Sequence, residues 1–226
     1  ALSRLSGKSH VVAQLLDSGK MPRFTFIVMG LLGESLNKLF LRCNKTVTSS
    51  TQLRIGLHVL HGLKQVHDSG FVHRDLKPAN LAVGKAPHSD PNIMIILDFG
   101  LSREFITKNG KGETVMRLPR KKAPFRGTAK YCSVGTHERA EQGRCDDLWS
   151  LLYVLSELKN PLPWSHVKEE KELAEFKRNI TDQNLLEKCS RQLMAFPNHL
   201  REEFALQFHC SLHTLLATAI GHLLLH

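Results

Sequence analysis

The stretch His73-Arg74-Asp75-Leu76-Lys77-Pro78-Ala79-Asn80, followed 18 residues later by Asp98-Phe99-Gly100, decides how this chain is read. It sets a carboxylate, an ammonium, an amide and a second carboxylate at a spacing that suits phosphoryl transfer. That reaction asks a protein for positioning and for charge placed where charge develops. Magnesium takes oxygen ligands and keeps several waters, so one carboxylate and one amide oxygen suffice as protein ligands. Asn80 lies five residues beyond Asp75, enough chain to turn back within one loop. Gly100 frees the backbone to redirect the segment after Asp98. Alone, each residue reads blandly, an Asp as a turn or cap and a Lys as a solvated charge. Together, at this separation, they are hard to obtain by chance.

Working outward, residues 1–9 read as the tail of a helix ending at Gly7. Two apolar runs, His10 to Leu16 and Arg23 to Met29, flank Asp17-Ser18-Gly19 in the pattern of an antiparallel strand pair. Gly30 to Gly33 forms a short connection, and Glu34 to Arg42 reads as a helix. Ser49 or Ser50 caps a helix that runs to about Ser69 and stops at Gly70. Its stripes Leu53, Leu57, Leu60 and Val59, Leu63, Val66 imply burial on more than one side. Leu81 to Val83 and Met94 to Leu97 read as strands around a polar turn at Pro87 to Asn92. From Asp98 to about Ser133 the chain looks irregular, and a loop that long is usually functional. Asp147 is placed to cap a helix to about Leu158, apolar nearly all round and therefore a buried axis. Charged, amphipathic helices follow Pro161-Leu162-Pro163-Trp164 to about His209. Gly7-Lys8-Ser9 is similar to the end of a phosphate loop, but Leu2 stands where that motif needs Gly, so it reads as a turn.

The bulk properties bound the answer. With 226 residues, 42% hydrophobic and 23% charged, the chain suits one globular domain or one large lobe with part of another. A net charge of +10 is compatible with attraction to nucleic acid, membrane, or acidic and phosphorylated proteins. Five cysteines with no C-x-x-C pair read as reduced thiols, which places the protein in the cytoplasm, the nucleus or both. No zinc site or disulfide framework is indicated. The N-terminus lacks the apolar core of a secretory leader, so the sequons at Asn44 and Asn179 carry no weight. The apolar run Leu212 to Leu225 is broken by His213 and His222, so it reads as a packed helix and not a membrane span.

At this point the chain resembles the eukaryotic protein kinases, and more narrowly the casein kinase 1 group and its tau-tubulin kinase branch. Beyond the two opening motifs, the resemblance is carried by Met29-Gly30-Leu31-Leu32-Gly33-Glu34-Ser35-Leu36, by Leu97 to Arg103, by Phe125-Arg126-Gly127-Thr128-Ala129-Lys130-Tyr131-Cys132-Ser133, and by Gly143-Arg144-Cys145-Asp146-Asp147-Leu148-Trp149-Ser150-Leu151. It implies an α+β, protein-kinase-like fold, with a mostly helical large lobe at 34–211, a hinge at 30–33 and a small-lobe remnant at 1–29. Residues 212–226 form a divergent apolar tail. It implies that Asp75 accepts the substrate hydroxyl proton, that Lys77 neutralises charge on the phosphoryl group, and that Thr128 sits beside Asp75. Asn80 and Asp98 would hold Mg2+. Met29 would be the gatekeeper, the backbone from Gly30 to Leu32 would pair with the adenine of ATP, and Ala82 and Leu97 would line the same pocket. Asp147 would hold the backbone around Arg74. Lys77-Pro78 is similar to serine/threonine kinases.

The pattern also has departures. The glycine-rich phosphate loop, the strand lysine and its partner glutamate are absent from these residues, so the chain reads as a fragment or an incomplete gene product with a truncated small lobe. Around Phe24 to Val28 an unpaired strand edge is expected, which invites association. The family's Ser-x-Asn-x-His reads Ser133-Val134-Gly135-Thr136-His137, so an anchoring side chain is missing at Gly135. Arg117, Arg120, Lys121, Lys122, Arg126 and Lys130 read either as a solvated loop or as a site for acidic or already phosphorylated peptide. Few aromatics interleave them, so no nucleic acid is expected, and the protein reads as a monomer. Losing one preorganised donor commonly costs about 10²–10³ in rate, so the missing lysine leaves a noncatalytic, scaffolding pseudokinase as the competing reading. Small-molecule phosphotransfer of the aminoglycoside-kinase type is disfavoured by Lys77-Pro78 and the 125–133 block.

Overall fold

The computed structural model describes residues 2–5, 9–189 and 191–205. In chain order the elements are α1 (Leu2–Leu5), β1 (Leu15–Lys20), β2 (Thr25–Met29), α2 (Leu36–Arg42), α3 (Ser49–Asp68), β3 (Phe71–Val72), β4 (Leu81–Val83), β5 (Met94–Ile96), β6 (Arg103–Glu104), β7 (Ile106–Lys108), β8 (Thr114–Met116), α4 (Val134–His137), α5 (Arg144–Glu157), α6 (Glu170–Asn179), α7 (Asp182–Leu186) and α8 (Phe196–Ala205). The strands form four antiparallel pairs, β1–β2, β3–β6, β4–β5 and β7–β8, and every described helix except α1 lies after residue 35. This is the α+β architecture with a helical large lobe that the sequence implies.

α3 and α5 pack together, because each carries apolar side chains over more than one face. Val59, Leu63 and Val66 of α3 and Leu148, Leu152 and Val154 of α5 have no exposed surface. Gln52 crosses the same interface, donating from Nε2 to the Leu155 carbonyl at 2.8 Å, so its amide N–H is not stranded in the core. Trp164, 1% exposed, closes the far side edge-on to Tyr153 with ring centroids 5.0 Å apart.

Several boundaries differ from the sequence reading, each for a local reason. Asp17-Ser18-Gly19 lies inside β1, opposite Val28, Ile27 and Phe26. The hairpin turns instead at Met21-Pro22-Arg23-Phe24, closed by Met21 N–H on the Phe24 carbonyl at 2.8 Å, with Pro22 fixing φ at the second position. Residues 10–14 leave the hairpin and reach toward β5, where the Ile96 amide donates to the Val11 carbonyl at 2.9 Å. Thr48 caps α3, accepting from the Thr51 amide at 3.1 Å, in place of Ser49 or Ser50. The segment after Asp98 is not wholly irregular: β6 pairs with β3, and β7 and β8 form a hairpin. α5 begins at Arg144, and its first turn is capped by Asp146 and not by Asp147, whose carboxylate is committed elsewhere.

Among the described residues β2 has β1 as its sole partner strand, and Phe24, Ile27, Val28 and Met29 are exposed, as the unpaired-edge expectation holds. No described helix is long and apolar enough to cross a membrane. Gly7, Cys210 and the run Leu212 to Leu225 lie outside the described residues.

Leu152 sits at the centre of the helical core, 0% exposed. Leu152→Ala is expected to cost about 2–5 kcal/mol through lost burial plus cavity formation. A fall in urea midpoint at constant m-value would report it, and a loss under about 1 kcal/mol would place Leu152 outside the cooperative core.

Candidate active site

α3 delivers the chain to the loop that carries Asp75. It ends at Gly70, whose φ of +86° is a left-handed turn that side chains rarely adopt, and β3 follows. The loop is then fixed from α5. Asp147 Oδ1 accepts the Arg74 amide at 2.8 Å, while Oδ2 accepts the His73 amide at 2.8 Å and His67 Nε2–H at 2.8 Å. Burial opposes the charge on Asp147, but the His67 hydrogen bond, the neighbouring histidines and the backbone amides offset it and hold the carboxyl below its ordinary value. This is the backbone grip that the resemblance implies for Asp147.

His73 joins the two opening motifs. Its Nε2–H donates to the Leu97 carbonyl at 3.1 Å, and its Nδ1 accepts the Asp75 amide at 3.3 Å, so one neutral tautomer satisfies both bonds. Phe99 packs edge-on to the same ring at 5.1 Å. Arg74 and Asp98 both take positive φ, 70° and 65°, conformations costing on the order of 1–3 kcal/mol each that persist only where surroundings hold them. Arg74 is held by Asp147 and by its own Nε–H on the Leu101 carbonyl at 2.7 Å. Asp98 is held by its carboxylate accepting the Gly100 amide at 3.2 Å.

Four predicted residues meet at one carboxylate. Asp75 is 7% exposed. Its Oδ1 accepts the Thr128 hydroxyl at 2.7 Å, and its Oδ2 accepts Lys77 Nζ at 2.7 Å and Asn80 Nδ2 at 3.3 Å. Lys77 Nζ also donates to Thr128 Oγ1 at 3.1 Å, which closes a triangle of carboxylate, ammonium and hydroxyl. Asn80 Nδ2 donates to the Asp75 carbonyl at 2.9 Å, leaving its amide oxygen without a hydrogen bond among the described residues. Asp98 is exposed and joins the cluster through the backbone, because the Leu97 amide donates to the Asn80 carbonyl at 3.1 Å. An unspent amide oxygen and an exposed carboxylate are the donor set that a hard divalent cation takes, so these residues fit such an ion.

Thr128 reaches Asp75 because of the residue before it. Gly127 has φ of +112°, and a Cβ there would stand 2.5 Å from the Arg74 carbonyl oxygen. Only glycine allows that approach. Gln142 Nε2 holds the Arg126 carbonyl at 2.9 Å, and Ser133 and Gly143 both donate to the Asp146 carboxylate. Gly135, where the family's anchoring side chain is missing, has space around it, with the nearest atom to a built Cβ at 3.7 Å.

A cleft of 550 Å³ opens between the hairpin and the Asp98 turn, lined among others by Leu15, Ile27, Met29, Leu97, Asp98 and Phe99. Of the residues expected around a nucleotide, Met29 and Leu97 line it, whereas Gly30, Leu32 and Ala82 do not. The Gly30 amide is spent on the Gln14 carbonyl at 3.0 Å. The Gly30 carbonyl and the Leu32 amide have no hydrogen bond among the described residues. Ala82 is 3% exposed in β4 and paired with Ile95.

The basic loop is only partly free. Arg120 binds Glu141 through Nε at 2.5 Å and Nη2 at 2.8 Å, Arg103 reaches the same carboxylate at 3.1 Å, and Lys130 pairs with Glu157. Burial pushes Glu141 up, yet the Arg120 hydrogen bonds and the Arg103 charge hold it below its ordinary value. Arg117, Lys121, Lys122 and Arg126 are exposed, with no ion-pair partner among the described residues. Sequence reading missed Glu141, just before α5, and Glu157, at its end, because an isolated Glu carries no signal of what folds onto it.

The family model described as the protein kinase domain matches residues 1–214, and the chain belongs to that family. Within it the chain is of the casein kinase I and tau-tubulin kinase kind. A Caenorhabditis elegans protein named as a serine/threonine-protein kinase is 48% identical over 200 residues, covering 88% of this chain and 57% of that protein. An inactive tau-tubulin kinase of the same organism is 37% identical over 189 residues, covering 80% and 65%. One named as a casein kinase I is 37% identical over 184 residues, covering 80% and 52%. The chain therefore spans between half and two thirds of the length of these relatives.

The Asp146 carboxyl supplies a pH dependence. Burial pushes it up from 3.8 to about 6, against the Ser133 and Gly143 hydrogen bonds that favour its charge. The folded state therefore binds more protons between those two values, and this contribution to stability is lost as pH rises through about 6. From about pH 4 to about pH 7, the urea midpoint of the parent should fall relative to that of Asp146→Asn and then level off. A constant difference would mean that Asp146 ionises in the fold as it does in water.

Proposed function

We propose that the protein is a serine/threonine protein kinase that moves the terminal phosphoryl group of ATP to protein hydroxyls. The observation that carries this reading is the triangle of Asp75 carboxylate, Lys77 ammonium and Thr128 hydroxyl. An incoming serine or threonine takes a place beside Thr128 with its hydroxyl toward Asp75. Asp75 takes the hydroxyl proton as the oxygen attacks the terminal phosphorus and the bond to the departing nucleoside diphosphate breaks. Lys77 bonds the Asp75 carboxylate at 2.7 Å and sets a positive charge next to the transferred group. Asn80 and Asp98 would hold Mg2+ through their unspent oxygens. A bound divalent cation supplies positive charge where the phosphate oxygens gather negative charge. The nucleotide would occupy the cleft that Met29 and Leu97 line, and adenine would reach past that lining to the unbonded Gly30 carbonyl and Leu32 amide, with Ala82 also beyond it.

The four unpaired cations at Arg117, Lys121, Lys122 and Arg126 favour acidic or phosphorylated protein substrates. The same reading places a monomer in the cytosol or nucleus, where the cysteines stay reduced. A second reading is a pseudokinase that binds partners or nucleotide without turnover. It is favoured by the relative named as an inactive tau-tubulin kinase.

Phosphate transfer to an acidic test protein, measured on this chain and on any longer form its gene encodes, separates the two. Asp75→Asn is expected to lower turnover by about 10²–10⁴. Unchanged turnover in that variant would reject Asp75 as the base, and nucleotide binding without any turnover would favour the pseudokinase. Reversing Arg117, Lys121 and Lys122 to Glu should raise KM for acidic protein, more strongly at low salt than at high. Equal KM for acidic and neutral substrates in the parent would remove the basic strip from the reading.

A further inference from the structure

Lys177 of α6 is a cation in an unusual place. It is 4% exposed and lies in a slot between Tyr153 and Trp164, 5.1 and 5.3 Å from their ring centroids. Burying an ammonium is costly unless its hydrogens are satisfied, and here all three are. Nζ donates to the Ala129 carbonyl at 2.7 Å, to the Cys132 carbonyl at 2.6 Å and to His137 Nε2 at 3.3 Å. Burial still pushes its pKa down to about 8, which leaves it charged at neutral pH.

Both carbonyls belong to one turn. The Tyr131 and Cys132 amides close onto the Thr128 carbonyl at 2.9 and 3.0 Å, so the turn begins at the residue whose hydroxyl meets Asp75. Turns of this kind leave carbonyls open at their far end, and a cation there satisfies them. Trp164 Nε1 claims the carbonyl between, that of Lys130, at 2.9 Å. A methionine would fill the aromatic slot as well as a lysine does, but it would leave the Cys132 carbonyl without a donor and the Ala129 carbonyl with only the Cys132 thiol at 3.5 Å.

We propose that Lys177 is a positioning residue for phosphoryl transfer: by bracing the Ala129 and Cys132 carbonyls it holds the 128–132 turn, and so keeps the Thr128 hydroxyl on Asp75. This rests on the reading of Asp75 as the catalytic carboxylate. The sequence offers no hint of it, since Lys177 looks like one more charge on an amphipathic helix.

The test uses the full chain with Lys177→Met, Thr128→Ala and the double variant. Hydrogen exchange at the Tyr131 and Cys132 amides is expected to quicken roughly tenfold in Lys177→Met, while α3 amides keep their rates. Turnover should fall about 10- to 100-fold with KM for nucleotide unchanged. In the Thr128→Ala background the same substitution should cost nothing further, because the two residues act through one geometry. Unaltered exchange at the turn, or losses that multiply in the double variant, would overturn the proposal. If Asp75→Asn keeps its turnover, the Asp75 reading fails on its own, and exchange at the turn still decides whether Lys177 holds it. Should Lys177→Met not fold, Lys177→Gln, whose amide can serve one carbonyl, carries the same comparison.

Discussion

One buried carboxylate organises the centre of this molecule. Asp147 rises from the core helix α5 and collects three donors, the His73 and Arg74 amides and the His67 ring. His73 and His67 are buried, so their N–H groups need an acceptor, and a buried donor left without one costs about 1–3 kcal/mol. The arrangement lets Arg74 adopt a positive φ, and that twist sends Asp75 back toward Lys77 and Asn80. Without the carboxylate only the Arg74 side chain on the Leu101 carbonyl would hold so strained a path. The helical core thus serves the site by setting one side chain, and the rest of the loop follows from its hydrogen bonds.

The segment between Asp98 and Ser133 is governed by the same principle with the signs varied. Glu141 gathers Arg103 and Arg120, Glu157 takes Lys130 and the Tyr131 hydroxyl, and Lys177 takes carbonyls. Glu157 and Lys177 reach in from α5 and α6 and Glu141 from the stretch just before α5, and each brace ends on a segment with little secondary structure of its own. Charge-assisted bonds suit this task, because they are stronger than neutral ones and specify direction. Arg117, Lys121, Lys122 and Arg126 are among the cations of this segment left available to a partner.

Much of the fold was legible in local patterns. The stripes on α3, the all-round apolar face of α5 and the short strands β4 and β5 could be read because periodicity and burial go together in them. The misread places were those where two local signals competed. Asp17-Ser18-Gly19 looks like a turn, but Pro22 nearby has the fixed φ that a turn uses, and the hairpin took it. Thr48 and Ser49 both qualify as caps, and the choice fell to the residue whose hydroxyl meets the Thr51 amide. Asp147 looked like a cap by position alone, until the loop from residue 73 claimed it.

The sequence by itself determined which chemistry is available: a carboxylate, a lysine, an amide and a second carboxylate at fixed intervals, and a glycine just before Thr128. Those residues sit within short stretches, where covalent geometry limits what they can do. Only the tertiary structure decided which groups are spent and which are free. Thr128 meets Asp75 from 53 residues away, Asp147 grips the His73 and Arg74 amides from 74 and 73, and Lys177 secures the turn from 45 and 48. Contacts of that separation leave no periodic trace, because they depend on how whole helices pack and not on any neighbour in the chain.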